Sequence, residues 1–92
     1  MEFTDAEFTS MVHEIERRFA DKWPKPAQLI RSKDQQTMVI KFDTDTIPFN
    51  VLHTLIAYGN QSGYIGTLTV QGFINSNICY CLNKPKVYGK GC

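Results

Sequence analysis

Acidic residues are missing from the second half of this chain. None of its nine Asp and Glu residues follows Asp45, although three lysines lie near the end. Residues 1–21 contain six acids against two arginines, and residues 22–41 contain five bases against one acid. The net charge of +1 therefore conceals an acidic first segment and a basic second one. This separation of charge along the chain is what a surface that binds an anionic partner requires. The other interpretation is that the lysines are simply solvated at the surface.

Long apolar runs are also lacking. No stretch approaches the roughly 20 residues that span a bilayer, and residues 1–5 are acidic where a signal peptide would be basic. We therefore expect a cytoplasmic protein with no membrane contact. With 92 residues, of which 42% are hydrophobic and 21% charged, the chain is expected to fold as one domain, residues 1–92.

Cysteine is scarce and confined to the end of the chain. Cys79, Cys81 and Cys92 are odd in number, which disfavours a disulfide framework and predicts reduced thiols. Cys79 and Cys81 offer two thiolates to a metal, but a tetrahedral site takes about four ligands and the remaining candidates lie in distant segments. We therefore expect no bound metal.

Catalytic patterns are few. His13 lies among acids on a predicted helix, and His53 lies off the apolar stripe of another. A dyad of His53 with Cys79 or Cys81 has no support in their spacing. The chain has neither a G-x-G-x-x-G sequence nor a Walker lysine loop. We expect no catalysis, no cofactor and no small-molecule substrate.

The first helix begins with a capping box. Thr4 is placed to accept a hydrogen bond from the backbone of Glu7, whose side chain reaches back, and Phe3 lies at the position of a hydrophobic staple. Apolar residues then recur at helical spacing: Phe8, Val12, Ile15 and Phe19. Prolines end this helix, and we expect Trp23 beside them to cover the core rather than to stack on a ligand.

A second helix is predicted after Pro48, where apolar residues again recur with a helical period: Val51, Leu52, Leu55 and Ile56. Short side-chain oxygens in residues 43–46 are expected to cap it, and Gly59 to end it.

Four strands complete the pattern: residues 27–32, 37–42, 64–71 and 78–82. The second hairpin is expected to turn at Gly72 or at residues 75–77, of which we favour the latter. The order α-β-β-α-β-β predicts an α+β fold with one four-stranded antiparallel sheet and two helices packed on one face. Leu68 and Val70 would face the core, and the open face would carry Thr67, Thr69, Gln71 and the cysteines. Residues 84–92 are expected to form a mobile basic tail.

With this element order and charge distribution, the chain resembles the small phage-encoded anti-CRISPR proteins that act on the type I-F (Csy) surveillance complex. The likeness covers the whole chain through its acidic capped helix (2–22), its hairpin tip (31–33), its polar loop (60–63) and its lysine-bearing tail. It implies a monomeric inhibitor in the host bacterial cytoplasm. This inhibitor would bind Cas protein subunits with their guide RNA and block target DNA binding or hybridisation.

We expect the cations of the two basic segments to contact the guide RNA or another anionic surface: Lys25, Arg31, Lys33, Lys84 and Lys86. The acidic helix would face the Lys- and Arg-rich Cas subunits. Two alternatives remain open. One is a small nucleic-acid-binding module without a protein target, although the chain lacks the motifs of the common RNA-binding folds. The other is a metal- or thiol-dependent enzyme.

Overall fold

The structure, a computed structural model, describes residues 2–71 and 77–85. The strands pair antiparallel in one sheet of order β1-β2-β4-β3. The predicted α+β class, element order and four-stranded antiparallel sheet are confirmed. The elements are α1 (Asp5–Arg18), β1 (Gln28–Arg31), β2 (Thr37–Lys41), α2 (Phe49–Ser62), β3 (Ile65–Gln71) and β4 (Asn77–Asn83).

The core lies between the two helices and the central strands β2 and β4. Alternate side chains of these strands are buried, as expected where one sheet face is covered: Met38, Ile40, Ile78, Tyr80 and Leu82. They form one cluster with buried side chains of the helices: Met11, Ile15, Val51, Leu55 and Tyr58. Both helices therefore pack on the same face, and β4 joins the second hairpin to the first through its pairing with β2.

The start of α1 follows the predicted capping box. The Thr4 backbone N–H donates to Glu7 Oε1 at 2.9 Å, and the Glu7 N–H donates to Thr4 Oγ1 at 3.1 Å. Phe3 is buried, and its N–H donates to the carbonyl of Gln35 at 2.7 Å. The chain therefore enters α1 fixed against the turn between β1 and β2.

The end of α2 differs from the prediction. The helix continues through Gly59 to Ser62, and Gly63 ends it with a φ of 75°. The polar residues 60–63 are thus the last helical turn and its cap rather than a loop. Gly59 continues the helix because it is buried against the sheet, where a Cβ atom would lie 3.3 Å from Leu82 Cδ2.

The buried face of α2 and its N-terminus also correct the sequence analysis. Val51 and Leu55 are buried as predicted, but Ile56 is exposed and Tyr58 is buried in its place, so the buried stripe is rotated about the helix. Pro48 is the N-cap and no side chain caps it, so the predicted capping by residues 43–46 is wrong. The Thr44 hydroxyl instead donates to the carbonyl of Thr46 at 2.8 Å.

Strand β3 is less covered than predicted. Leu68 and Val70 pair with Tyr80 and Ile78 and therefore share the face that packs against the helices. They are nevertheless exposed, because β3 is an edge strand that the helices leave uncovered.

On the opposite sheet face Cys79 is buried, contrary to the prediction of an open position. Its strand is central, and Lys41 and Thr69 flank it on that face. The Thr69 hydroxyl donates to the Cys79 carbonyl at 3.5 Å. Lys41 and Thr69 thus cover the small Cys79 side chain from the two neighbouring strands.

The predicted turn positions, Gly72 and residues 75–77, lie outside the described residues except for Asn77, which belongs to β4 and not to a turn. The predicted tail also lies outside the described residues from 86 onward. Lys84, the first residue of that tail, is described and contacts α1.

Candidate partner-binding surface

Arg31, one of the five predicted contact residues, is bound to the start of α1. Its Nη2 lies 2.7 Å from Asp5 Oδ1, and its Nη1 donates to the carbonyl of Phe3 at 3.1 Å. The guanidinium also lies 5.4 Å from the centroid of the Phe8 ring. Arg31 therefore holds β1 against α1, and a carboxylate already faces its charge.

Lys84 is bound at the same end of α1. Its Nζ lies 2.7 Å from Glu7 Oε2, donates to the carbonyl of Glu2 at 3.2 Å and lies 5.4 Å from the centroid of the Phe3 ring. Lys84 Nζ also donates to Glu7 Oε1 at 2.8 Å, and this hydrogen bond, with a smaller contribution from the Thr4 backbone, lowers the pKa of Glu7. Arg31 and Lys84 thus meet around Phe3, each paired with an acid.

The other predicted residues are separated from this pair. Lys25 and Lys33 are exposed and lie beyond opposite ends of β1, so a strand separates them. Among the described residues, neither forms an ion pair. Lys86 lies outside the described residues. The structure therefore brings Arg31 and Lys84 together but does not join the described four into one cationic patch.

Between α1 and β1 lies an open groove of about 640 Å³. Lys25 and Phe8 both line it, and the Arg31 guanidinium lies over the Phe8 ring. Its volume lies within the range of ligand sites, and its walls are mainly apolar. The lining residues are Phe8, Val12, Ile15, Glu16, Phe19, Ala20, Lys25, Pro26, Ala27, Gln28 and Leu29.

The loop after α1 turns its tryptophan to the surface. Trp23 is 76% exposed, so the prediction that it covers the core is wrong. Phe19 fills that position instead: it is buried at the C-cap of α1, with its ring centroid 6.3 Å from that of Phe42. With this end of the core filled, Trp23 is left exposed, and Lys22 and Lys25 are close to it in the sequence.

A second exposed aromatic residue lies near this loop. Phe49, at the start of α2, is 79% exposed and stacks on His53 with a centroid distance of 6.2 Å. Both line a depression of about 350 Å³ to which Lys22 also contributes. We call Lys22, Trp23, Lys25, Phe49 and His53 the Trp23 face.

Sequence reasoning did not identify this face as a binding surface, although a signal was present. Phe49, His53 and Ile56 recur at helical spacing, so they form a second stripe on α2 opposite the buried one. All three are exposed. A stripe with two large apolar residues that the core does not bury is typical of an interaction surface.

The two described cysteines lie apart from the histidines. Cys79 and Cys81 belong to the sheet face opposite the helices, whereas His13 and His53 are exposed on the helices. The sheet therefore lies between His53 and either thiol. Burial, together with the neighbouring Cys79, raises the pKa of the Cys81 thiol and keeps it protonated at neutral pH. Within 2–71 and 77–85, no three His, Cys, Asp or Glu residues are grouped to hold a metal ion.

No helix in the described part of the chain is long and apolar enough to cross a membrane. Searches of protein-family models, curated proteins and solved structures found no match to this chain.

Proposed function

We propose that this chain is a stoichiometric binding inhibitor that occupies a surface of the type I-F Cas–crRNA complex and blocks target DNA binding or hybridisation. The target comes from the resemblance to anti-CRISPR proteins. The observation that carries the binding role is the Trp23 face, with its exposed tryptophan between two lysines. Aromatic anchors of this kind supply most of the energy at many protein interfaces.

Trp23 and Phe49 add little to the core, because three quarters or more of each side chain is exposed. Burying such side chains against a partner releases about 25 cal/mol per Å² of apolar surface. Lys25 is exposed, forms no ion pair among the described residues and would contact phosphates or carboxylates at the rim of the interface, whereas Lys22 already lies 3.6 Å from Asp21 Oδ1. The arrangement therefore fits a partner that offers an apolar pocket beside negative charge, as a protein subunit that carries RNA does.

The acids of α1 contribute less to this proposal than the sequence suggests. Asp5, Glu7 and Glu14 already pair with cations of the same chain. Contacts of α1 with Lys- and Arg-rich Cas subunits are therefore left to the exposed acids that have no such partner among the described residues, such as Glu16.

The test is binding to a purified type I-F Cas–crRNA complex, measured by calorimetry. Trp23→Ala is expected to weaken binding by about 30-fold or more, the loss typical of a central aromatic anchor. Lys25→Glu is expected to weaken binding more at low salt than at high salt. Asn60→Glu is the matched control, because residue 60 is exposed near the other end of α2. Normal binding by Trp23→Ala would show that the Trp23 face is not the contact.

The same features favour a second candidate, a nucleic-acid-binding module without a protein target. A tryptophan beside lysines is also a platform on which an unpaired base stacks. This candidate predicts steeply salt-dependent binding to naked single strands. The inhibitor predicts weak binding to free strands and tight binding to the nucleoprotein. Naked RNA that binds as tightly as the Cas–crRNA complex would contradict the inhibitor.

A further inference from the structure

Within residues 2–71 and 77–85, strand β3 is an edge strand without the usual protection against pairing. It spans seven residues and contains no charged residue and no proline. Natural edge strands are commonly short, charged or interrupted by proline, which prevents them from pairing with another chain. The other edge strand, β1, has only four residues and includes Arg31. The two edges therefore differ, and β3 is the one suited to association.

The backbone groups that β3 leaves free follow from the register. The Phe42 N–H donates to the Ile78 carbonyl at 2.8 Å, so Ile78 directs its backbone groups toward β2. Successive residues of an antiparallel strand direct their backbone N–H and C=O groups alternately to one side and the other, so Cys79 and Cys81 direct theirs toward β3. Their partners on β3 are Thr69 and Thr67. Gly66, Leu68 and Val70 alternate with these two threonines along β3. They therefore direct their N–H and C=O groups away from β4, toward the open edge of the sheet.

This edge is complementary to itself. If a two-fold axis passes through Leu68, antiparallel pairing places Leu68 opposite Leu68 of a second copy and Gly66 opposite Val70. Each of these residues directs its backbone groups outward, so every pair exchanges two hydrogen bonds. Thr67 then lies opposite Thr69, a favourable cross-strand pair. No like charges meet, because the strand has none.

Exposed apolar side chains would be covered by the same pairing. Leu68 and Val70 are 47% and 61% exposed, and both lie on the helix-side face of the strand. Leu68 would pack against its symmetry mate, and Val70 would lie beside the Tyr80 ring that covers Gly66. We propose that two copies of this chain associate through antiparallel pairing of β3 and form one continuous eight-stranded sheet.

The contact is small, since seven paired residues extend for only about 24 Å. Contacts limited to one strand edge belong to the weak, reversible class of interfaces. The dimer is therefore expected to dissociate on dilution. Its formation does not depend on the Trp23 face, so it is tested separately from the proposed function.

The test is sedimentation of the full chain from about 5 μM to about 500 μM, a range that brackets micromolar dissociation constants. The mass is expected to rise from 10.5 kDa toward twice that value. Leu68→Lys places two lysines against each other on the axis and is expected to remain monomeric. Ile30→Lys is the matched control: it replaces an exposed apolar residue on the other edge strand and is expected to dimerise like the unchanged protein. Circular dichroism checks that both variants fold.

Amide hydrogen exchange gives a second, site-resolved measurement. The amides of Gly66, Leu68 and Val70 are expected to exchange more slowly as the concentration rises. Leu29 and Arg31 also direct their amides outward, because the Ser32 N–H donates to the Thr37 carbonyl across β1 and β2. These two amides are expected to show no such change.

A mass of 10.5 kDa at every concentration would overturn the proposal. So would a dimer that Ile30→Lys abolishes and Leu68→Lys retains. Protection of the β3 amides only in the presence of the Cas–crRNA complex would also overturn it, because β3 would then pair with a strand of the partner.

Discussion

At the scale of single residues, Gly66 is set apart by the side chain that lies against it. A Cβ atom at this position would overlap Oη and Cζ of Tyr80, whose ring is buried beside the edge strand. Gly66→Ala therefore forces a core aromatic side chain to move. Overpacking of this kind typically costs about 1–3 kcal/mol, and urea denaturation is expected to show a loss of this size in the free energy of unfolding.

Gly59→Ala is the control for that prediction. Its Cβ would lie at a tight 3.3 Å from Leu82 Cδ2, so that this side chain must shift by only a few tenths of an ångström, and the position is helical. Alanine favours a helix over glycine by up to about 1 kcal/mol, which offsets the crowding. If both substitutions cost the same, the contact with Tyr80 would not be the cause.

Single residues are also where sequence reasoning failed most clearly. The position of Trp23 beside a helix end did not reveal that Phe19 already fills the core there. Five cations were predicted to form contacts from charge alone, whereas the partners of Arg31 and Lys84 depend on where the fold places Asp5 and Glu7. Such pairings join residues far apart in the chain, so local patterns do not predict them.

At the scale of elements, the start of α1 was predicted well because its signals are local. The capping box and the apolar spacing act within a few residues of one another, and both were found. The prediction of its end is wrong, because the helix ends at Arg18, before the prolines. The start of α2 after Pro48 was also predicted, but its end and its buried stripe were not, because its apolar residues cover too much of its circumference to define one stripe. Packing against Leu82 and the sheet decides which stripe is buried and carries the helix past Gly59.

Helix α1 also contains Glu14, a carboxylate whose pKa is set by its ion pairs with Arg17 and Arg18. Glu14 accepts hydrogen bonds from Arg17 at 2.5 Å and from Arg18 at 2.6 Å, and these lower its pKa to about 2. A carboxylate whose pKa is lower in the folded state stabilises the fold above its ordinary pKa. That stability is lost as the pH falls from about 4.5 toward about 2. Glu14→Gln is therefore expected to flatten the dependence of unfolding free energy on pH in this range.

The measurement is urea denaturation at several pH values between about 2 and 6, a range that includes both the ordinary and the lowered pKa of Glu14. Glu16→Gln is the control, since Glu16 is exposed on the same helix and forms no ion pair within the described residues. An acid-induced loss as steep in Glu14→Gln as in the unchanged chain would contradict the assignment to Glu14.

At the scale of the whole molecule, the α+β class and the single sheet followed from counting elements and their periods. The adjacency of β2 and β4 is the simplest way to join two hairpins and leaves β1 and β3 at the edges. The sequence did not predict how unevenly the helices cover the sheet. Leu68 and Val70 alternate as core residues do, but the helices leave both of them exposed on the edge strand, and alternation carries no information about how far the helices cover the sheet.

The exposure of Trp23 gives a prediction for the whole chain, because it is the only tryptophan. Its indole is already in water in the folded state, so its emission is expected to shift little when urea unfolds the protein. Far-UV circular dichroism should report the full transition in the same samples. A native emission strongly shifted to the blue, followed by a large red shift on unfolding, would show that the indole is covered.

Because the emission of Trp23 is expected to change little on unfolding, a shift in this emission can report association with a partner. When a partner covers the indole, its emission moves to shorter wavelength and quenchers in the solvent no longer reach it. Titrating candidate partners into the unlabelled protein therefore gives a direct optical readout of occupancy at this one position, and a partner that docks elsewhere leaves the signal unchanged.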